Sequence, residues 1–201
     1  MEINLTWCQS SDNIIGKCVD GTHLMPWYHI EEDMKHFYKK TVGNGKNGIL
    51  MGYKTWLSLK ETILPKRENF VLTVSHYNEL NVLFDSKGNP NLCHPVKTID
   101  EAIRISEFLE LEELWIIGGG SVYNEFLTNS KYLNQIHKIY QTVLKREAID
   151  YSNLKSNPIC YSIYAPNIPL NFEKIKSTEY SECIINEYLN KNYKPNNMFD
   201  E

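Results

Sequence analysis

The chain has 201 residues, which one domain or at most two small ones would account for. Its composition, with 42% hydrophobic and 23% charged residues, excludes wholly disordered, collagen-like and membrane-bundle proteins. The net charge of -4 provides no overall basic field for nucleic acid or anionic lipid, and no run approaches the roughly 18 apolar residues of a membrane span.

The cysteines indicate the compartment. They are odd in number, widely spaced and without a CxxC pair, which favours reduced thiols in a cytoplasmic protein over disulfides or a metal site. They are Cys8, Cys18, Cys93, Cys160 and Cys183. The start of the chain lacks the basic and apolar parts of a secretory signal. We therefore expect a cytoplasmic protein that binds no metal.

In the first half of the chain, short β-rich runs alternate with helical patterns. The pattern predicts a strand over Ile3–Cys8, a helix over Glu31–Thr41, a strand over Gly48–Met51 that leads into a helix near Thr55–Leu57, and a strand over Phe70–Val74. Three acidic residues open the first helix, where they suit the positive end of its dipole.

The second half continues the alternation and then changes character. It predicts a helix over Asp100–Leu111 capped by Thr98 or Asp100, a strand over Leu114–Ile117, a helix over Ser121–Leu127, a strand over Lys138–Leu144, and an antiparallel hairpin of Phe172–Ser177 and Cys183–Leu189. Such alternation is typical of an α/β domain with a parallel or mixed sheet covered by helices. The polar stretch 190–201 has no periodicity and is predicted to be a tail or linker after a domain of residues 1–189.

Two junctions between a strand and a helix contain glycine. Gly118, Gly119 and Gly120 stand before the helix at Ser121, where backbone can approach a phosphate closely. The alternative is a tight turn that binds nothing. Gly52 holds the same place in the second junction, where Lys54 and Thr55 either face a phosphate or are a surface lysine and a helix cap.

Two charged side chains stand out elsewhere. Asp33 shares a helix face with Met34 and Phe37, and an acid on such a face needs a cationic or hydrogen-bonding partner. The alternative is that it only adds to the acidic first turn. Arg67, after Leu64-Pro65, is either solvated or grips a carboxylate through its planar fork.

Taken in order, the motifs resemble those of the dihydrofolate reductases. The matching stretches are Ile14-Ile15-Gly16, Met25-Pro26-Trp27, Asp33 with Phe37, Ile49 to Gly52 with Lys54-Thr55-Trp56, Leu64-Pro65 with Arg67, and Trp115 to Tyr123. The resemblance covers roughly residues 3–144 and, more loosely, the final hairpin. It implies a three-layer α-β-α sandwich around a mostly parallel mixed sheet, with NADPH and dihydrofolate in facing clefts. It also implies hydride transfer to C6 and protonation of N5 of the pterin.

The resemblance implies roles on the substrate side. Asp33 matches the acid that pairs with the pteridine edge, with Glu32 a competing choice, and Trp27 and Thr142 match groups that orient a water and the acid. Phe37 four residues after Asp33 favours that register, because it matches the substrate-stacking aromatic. The implied substrate-binding residues are Cys8, Asp33, Met34, Phe37, Leu64, Arg67, Ile117 and Tyr123.

On the cofactor side the resemblance implies NADPH, with NADH not excluded. The implied contacts are Cys8, Ile15, Gly16, Gly52, Lys54, Thr55, Thr73, Ser75, Lys97, Ile117, Gly119, Gly120, Ser121, Val122 and Tyr123. In the family, a cis peptide bond joins the two glycines equivalent to Gly119-Gly120.

The chain also departs from the family. The lid loop over Lys17–Leu24 is several residues longer than usual, and residues 146–158 read as an insertion. Val74 and Ser121 stand where a cation usually faces the 2'-phosphate, which leaves Lys97, with Ser75 or His76, to discriminate NADPH from NADH.

Two other interpretations remain at this point. One is the pyrimidine reductase of riboflavin synthesis, which shares the fold and the glycine turn but does not match Trp27, Asp33 and Arg67 as a set. The other is a catalytically silent module that binds a nucleotide or a partner on the same fold. The implied partners are dihydrofolate and a fused or associated thymidylate synthase, with neither nucleic acid nor a membrane.

Overall fold

The computed structural model describes residues 1–82, 93–151 and 159–195. Its strands are β1 Glu2–Gln9, β2 Ile14–Val19, β3 Thr22–Leu24, β4 Asn47–Gly52, β5 Glu68–Leu72, β6 Cys93–Val96, β7 Glu113–Gly118, β8 Ile136–Leu144, β9 Cys160–Tyr164, β10 Phe172–Glu179 and β11 Cys183–Asn190. Its helices are α1 Glu31–Val42, α2 Tyr53–Ser58, α3 Tyr77–Leu80, α4 Ile99–Phe108, α5 Gly120–Thr128 and α6 Ser130–Leu133.

Eight strands form the central sheet, in the order β10-β11-β8-β1-β7-β4-β5-β6. The pairs from β8 to β6 are parallel, whereas β11 pairs antiparallel with both β8 and β10. The predicted mostly parallel mixed sheet with a C-terminal antiparallel hairpin is therefore confirmed.

Side chains of successive strand residues enter different cores, which makes the fold a three-layer sandwich. Leu50 belongs to one apolar cluster together with residues of α4 and α5, whereas its neighbours Ile49 and Met51 belong to a second cluster with Trp56 of α2. Because adjacent strand residues point to opposite faces, the sheet is the middle layer. This confirms the three-layer prediction.

The predicted helices and strands are all present, with ends that differ by a few residues. The strand predicted over Phe70–Val74 ends at Leu72, and Val74 is 73% exposed. Thr98, one of the two candidate caps, is the N-cap of α4 and accepts a hydrogen bond from the Glu101 amide. The short elements α3, α6, β6 and β9 were not predicted.

The prediction that Lys17–Leu24 is a loop is wrong. Strands β2 and β3 form a hairpin, and β2 also pairs with β9 in a separate three-stranded antiparallel sheet. Asp20 and Gly21 make the turn, with φ values of 46° and 81°. An Asp-Gly pair in which both residues have positive φ is typical of the tightest hairpin turns, so the signal was present in the sequence.

The segment predicted as an insertion is only partly described, since residues 152–158 lie outside the described ranges. Its first part packs across the base of the β2–β3 hairpin. The Ile149 amide donates to the Pro26 carbonyl at 2.8 Å, and Lys17 Nζ donates to the Ile149 carbonyl at 2.7 Å. The Ala148 amide donates to the Asp12 carboxylate at 3.0 Å. Residues 146–151 therefore form a strap that holds the hairpin.

Asn190, placed by the sequence at the start of a tail, is the last residue of β11 and is buried. Its amide donates to the carbonyls of Leu133 and Ile136, which ties the end of the hairpin to β8. No helix in the described ranges is long and apolar enough to cross a membrane. None of the five cysteines, all of which are described, forms a disulfide bond.

Candidate active site

The candidate site lies where parallel strands end. The carboxyl ends of β1, β4, β5, β6 and β7 meet at one edge of the sheet, because parallel neighbours run in the same direction. In an open α/β sheet this edge is the usual place for a ligand. The predicted cofactor residues occur at the ends of several of these strands and in the segments that follow them.

Two glycine N-caps meet at this edge. Gly119 caps α5 and Gly52 caps α2, and neither helix has a side chain bonded to its cap, whereas α4 has Thr98. A methyl group added at Gly119 would lie 3.2 Å from Thr55 Oγ1, and one at Gly52 would lie 3.1 Å from Val122. The two junctions are therefore adjacent, and first-turn amides without a capping side chain suit an anionic group such as a dinucleotide phosphate.

A non-proline cis peptide bond lies beside these junctions. It joins Gly118 and Gly119, one residue earlier than Gly119-Gly120, the pair that the family resemblance implies. Gly118 also has a φ of 120°, which side chains rarely adopt.

The small antiparallel sheet covers this region. A methyl group at Gly120 would lie 3.1 Å from Ile163 and 3.8 Å from Ile15, and one at Gly16 would lie 3.6 Å from Ile163. Ile163 belongs to β9, which follows the predicted insertion. The predicted residues Ile15, Gly16 and Gly120 thus converge. Ile163 was not among the predicted residues, because its strand carries no clear signal in the chain.

Asp33 lies in the first turn of α1 and is only 6% exposed. Burial raises the pKa of its carboxyl group, while hydrogen bonds with Thr142 and Cys8 and the nearby His29 oppose that rise. Cys8 and Thr142 are direct neighbours across β1 and β8. The structure therefore brings together an acid, a hydroxyl and a thiol, the last two of them on adjacent strands.

The surroundings of this acid are apolar. Trp27 packs in a cluster with Ile30, Leu144, Cys183 and Ile185, and Cys8 lies against it. Burial, followed by the charge of Asp33, raises the pKa of the Cys8 thiol well above its usual value. Burial, again with Asp33 next, raises the pKa of Cys183 to about 11. The two thiols near the Asp33 carboxylate, Cys8 and Cys183, are therefore neutral.

The competing acid has a different environment. Glu32 is half-exposed, whereas Asp33 is buried beside Thr142. An acid that grips a ligand inside a cleft needs the buried position. The geometry therefore favours Asp33 as the candidate acid.

Arg67, in the turn before β5, lies against the C-terminal end of α1. Its guanidinium lies 5.7 Å from the Phe37 ring and 5.5 Å from the Tyr38 ring, and it donates to the Thr41 hydroxyl and to the Pro65 carbonyl. Burial lowers the pKa of Arg67 from its usual high value. The predicted pair Phe37 and Arg67 is therefore in contact, and Arg67 is held in place rather than solvated.

Other predicted substrate residues line the same side of the sheet. Leu64 and Ile117 are half-buried and pack against the second apolar cluster. Met34 is half-buried on α1. By contrast, Tyr123 is in the core, where its hydroxyl donates to the Thr6 carbonyl at 2.7 Å and its ring lies 5.5 Å from that of Trp7. Its side chain is committed to packing, as is that of Val122.

The ends of β5 and β6 carry the remaining predicted cofactor residues. Thr73 is buried and accepts a hydrogen bond from the His76 amide, whereas Ser75 is exposed. The His76 ring stacks on Tyr53 with centroids 3.9 Å apart, which the sequence did not indicate. Lys97 is exposed with its ammonium 4.4 Å from the Tyr77 ring.

The exposed residues of the two helix starts complete the set. Lys54 and Ser121 are exposed, one near each glycine junction. Strand β3 lies beside α2, and burial, followed by the charge of Lys54, lowers the pKa of His23 in β3. No cluster of three or more metal-binding side chains occurs among the described residues.

Comparison with known proteins agrees with this geometry. A family model described as dihydrofolate reductase matches residues 2–158. The bifunctional dihydrofolate reductase-thymidylate synthase of Acanthamoeba polyphaga mimivirus is 32% identical over 142 residues, which cover 68% of this chain and 24% of that protein. The dihydrofolate reductase of Buchnera aphidicola subsp. Baizongia pistaciae is 35% identical over 141 residues, covering 69% of this chain and 73% of its own length.

A viral dihydrofolate reductase of Saimiriine herpesvirus 2 is 28% identical over 185 residues, with 84% of this chain and 81% of that protein covered. Among solved structures, dihydrofolate reductase from Enterococcus faecalis complexed with NADP(H) and RAB-propyl has the same fold, with a TM-score of 0.64 at 20% identity over 94% of this chain and 96% of that one. The extent of the family match and the identity to the Buchnera enzyme together show that the chain belongs to the dihydrofolate reductase family.

Proposed function

We propose that this protein reduces 7,8-dihydrofolate to 5,6,7,8-tetrahydrofolate with NADPH, and so supplies one-carbon metabolism and thymidylate synthesis. The observation that carries the proposal is the placement of Asp33 and Arg67 at the two ends of α1. The acid is buried beside Thr142, and the cation is held against Phe37 and Thr41.

The helix sets the distance between these charges. Thr41, the α1 partner of Arg67, follows Asp33 by eight residues, which at the usual rise per residue is about 12 Å along the axis. A ligand that fits both ends needs a polar ring edge for the acid and an anionic group far from that edge. A folate has both, with its pterin ring at one end and its glutamate at the other.

Each side chain has a role in this proposal. Asp33 accepts hydrogen bonds from the 2-amino group and a ring nitrogen of the pterin, and Phe37 stacks on the substrate. Arg67 binds the α-carboxylate through its remaining N–H donors. Trp27 and Thr142 hold the acid and a water, through which a proton reaches N5.

The residues at the strand ends fit a dinucleotide. The amides at the start of α5, next to the α2 junction, suit the pyrophosphate, and the glycines leave room for it. When bound, NADPH supplies the hydride that C6 of the substrate receives. We propose that Lys97, with Ser75 or His76, binds the 2'-phosphate, because Val74 and Ser121 offer no cation there.

Three further proposals concern the compartment, a partner enzyme and the extent of the domain. We place the protein in the cytoplasm, in line with five cysteines that form no disulfide. Fusion to or association with a thymidylate synthase is suggested by the bifunctional relative. The division into a domain of residues 1–189 and a polar tail or linker of residues 190–201 stays a proposal, with its boundary moved past Asn190, the last residue of β11.

The assay of choice follows NADPH absorbance with dihydrofolate, with NADH in parallel. We expect turnover with NADPH and a lower kcat/KM with NADH. Folded enzyme at micromolar concentration that consumes neither cofactor would reject the proposed function. The pyrimidine reductase of riboflavin synthesis is not favoured, because the family model and the relatives above are dihydrofolate reductases.

A further inference from the structure

The turn that carries Arg67 is tied down by one buried amide. Asn69, the second residue of β5, is only 1% exposed. Its Oδ1 accepts from the Leu64 amide at 2.9 Å, and its Nδ2 donates to the carbonyls of Leu64 at 3.0 Å and of Arg67 at 2.8 Å. One side chain in the sheet therefore holds both ends of the turn.

The turn needs this support because its backbone is not in a relaxed conformation. Lys66 has a φ of 64°, in the left-handed region that side chains other than glycine adopt rarely. The side chain of Arg67 adds only one bond within the turn, from Nε to the Pro65 carbonyl at 3.1 Å. The side chain of Asn69 therefore supplies most of the hydrogen bonds that hold the backbone of this turn, and with it the base of the Arg67 side chain, in place.

A second restraint comes from the helix. Arg67 donates to the Thr41 hydroxyl, and that hydroxyl donates to the Phe37 carbonyl at 2.8 Å. Thr41 is fully buried. Asn69 holds the backbone of Arg67 from the sheet, and Thr41 holds its side chain from α1.

We propose that Asn69 is a positioning residue for the carboxylate end of the substrate: it fixes the Leu64–Arg67 turn so that the guanidinium stands at a set distance from Asp33. The inference rests on the proposed function and adds a residue that touches neither substrate nor cofactor. Its consequence is selectivity, since only a substrate that carries the distant carboxylate gains from the fixed cation.

Two substrates separate positioning from general stability. 7,8-Dihydrofolate carries the carboxylate, whereas 6-methyl-7,8-dihydropterin has the same ring without it. We expect Asn69→Ala to raise KM for dihydrofolate about tenfold and to leave its kcat within about twofold. For the dihydropterin, both KM and kcat stay within about twofold of wild type.

Asn190→Ala is the matched control. Asn190 is also buried and also donates to two backbone carbonyls, those of Leu133 and Ile136. It lies near the start of β8, at the opposite end of that strand from Thr142. We expect this variant to lose stability, as Asn69→Ala does, while its KM values for both substrates stay those of wild type.

Asn69→Ser, which leaves a smaller polar group in the same buried position, keeps the assay decisive if Asn69→Ala does not fold. Thr41→Val tests the second restraint, the one from the helix. Valine preserves the shape and removes the hydroxyl, so KM for dihydrofolate rises and that for the dihydropterin does not. The inference is overturned if the folded Asn69 variant changes KM for both substrates equally or for neither. A wild-type enzyme that reduces neither substrate instead rejects the proposed function, and the inference with it.

Discussion

Asp33 combines chemistry with a cost in stability. Its carboxylate is buried near Cys8 and Cys183, and burial raises its pKa against the opposing effect of Thr142, Cys8 and His29. A buried charge with few partners is unfavourable, which is why such groups in a fold so often have a functional role. The two aspects can be measured separately.

Activity is the first measurement. We expect Asp33→Asn to lower kcat/KM at neutral pH by about a hundredfold or more, because an amide can neither pair with the protonated pterin nor direct a proton to N5. NADPH affinity should be unchanged. Glu32→Gln is the control, and if that change is the damaging one, the proposed register of the acid is wrong.

Stability is the second. A carboxyl group whose pKa is raised by folding binds more protons in the folded than in the unfolded state, so wild-type stability falls as pH rises from about 4 through the raised pKa. Asparagine does not titrate. We expect Asp33→Asn to be more stable than wild type towards urea at neutral pH, with the difference shrinking near pH ~4. A difference that grows on acidification would contradict this account.

Two elements depend on a single residue each, the β7–α5 junction on Gly118 and the strap on Lys17. At the β7–α5 junction, Gly118 has a φ of 120°, and a methyl group there would lie 3.1 Å from the Tyr123 hydroxyl in the core. At the other element, the strap after β8 is held to the β2–β3 hairpin through Lys17, which is 7% exposed.

Gly118→Ala combines backbone strain with a clash. We expect it to lower the free energy of unfolding by about 2–4 kcal/mol, measured by chemical denaturation. Gly21→Ala is the control for strain alone, because Gly21 has a φ of 81° with no atom near a new methyl group, and it should cost about 1 kcal/mol. Equal losses in the two variants would show that the contact with Tyr123 has no effect.

The strap is tested by hydrogen exchange. Lys17→Met retains the length of the side chain but removes the donor to the Ile149 carbonyl. We expect the Ile149 amide, which bonds to Pro26, and the amides of β2 and β3 to exchange about tenfold faster. The exposed Lys191→Met is the control. Unchanged exchange at Ile149 would mean that the other contacts of the strap suffice without Lys17.

The molecule as a whole carries a net charge of -4, yet its proposed cofactor is an anion. Local groups resolve this, because helix N-termini and placed cations act over a short range in salt. Lys54 and Lys97 are both exposed near the strand ends that form the candidate cofactor site. Recognition thus depends on a few sites and not on the total charge.

Ligand-linked stability measures this for the intact protein. NADPH at about 100 times its Kd should add about 2.7 kcal/mol, which for a chain of this size is a rise in Tm of roughly 5–10 °C. We expect a smaller rise with the same concentration of NADH, and a smaller gap between the two cofactors in Lys97→Gln. Lys191→Gln is the control, and identical rises with both cofactors in the wild type would contradict discrimination through Lys97.

Local pattern was enough for the fold class and for the two glycine junctions of the candidate site, whereas the roles of the site's side chains came from the family resemblance. Apolar residues repeat with different periods in strands and in helices, and glycine is favoured where the backbone turns tightly between the two. The β4–α2 and β7–α5 junctions could therefore be placed from the sequence alone. The Asp20-Gly21 turn is equally local, since an Asp-Gly pair with positive φ at both residues is typical of a tight hairpin turn.

Tertiary structure decided what depends on residues far apart in the chain. Burial distinguishes Asp33 from Glu32, although the two are adjacent in sequence, because only the packing of α1 on the central sheet determines which carboxylate meets Thr142. Asn69 and Ile163 carry no periodic signal, and their contacts with the Arg67 turn and with Gly120 exist only once the sheets form. A sequence pattern records the local conformational preference of a segment, whereas the place of a charge or a restraint is set by segments that meet through folding.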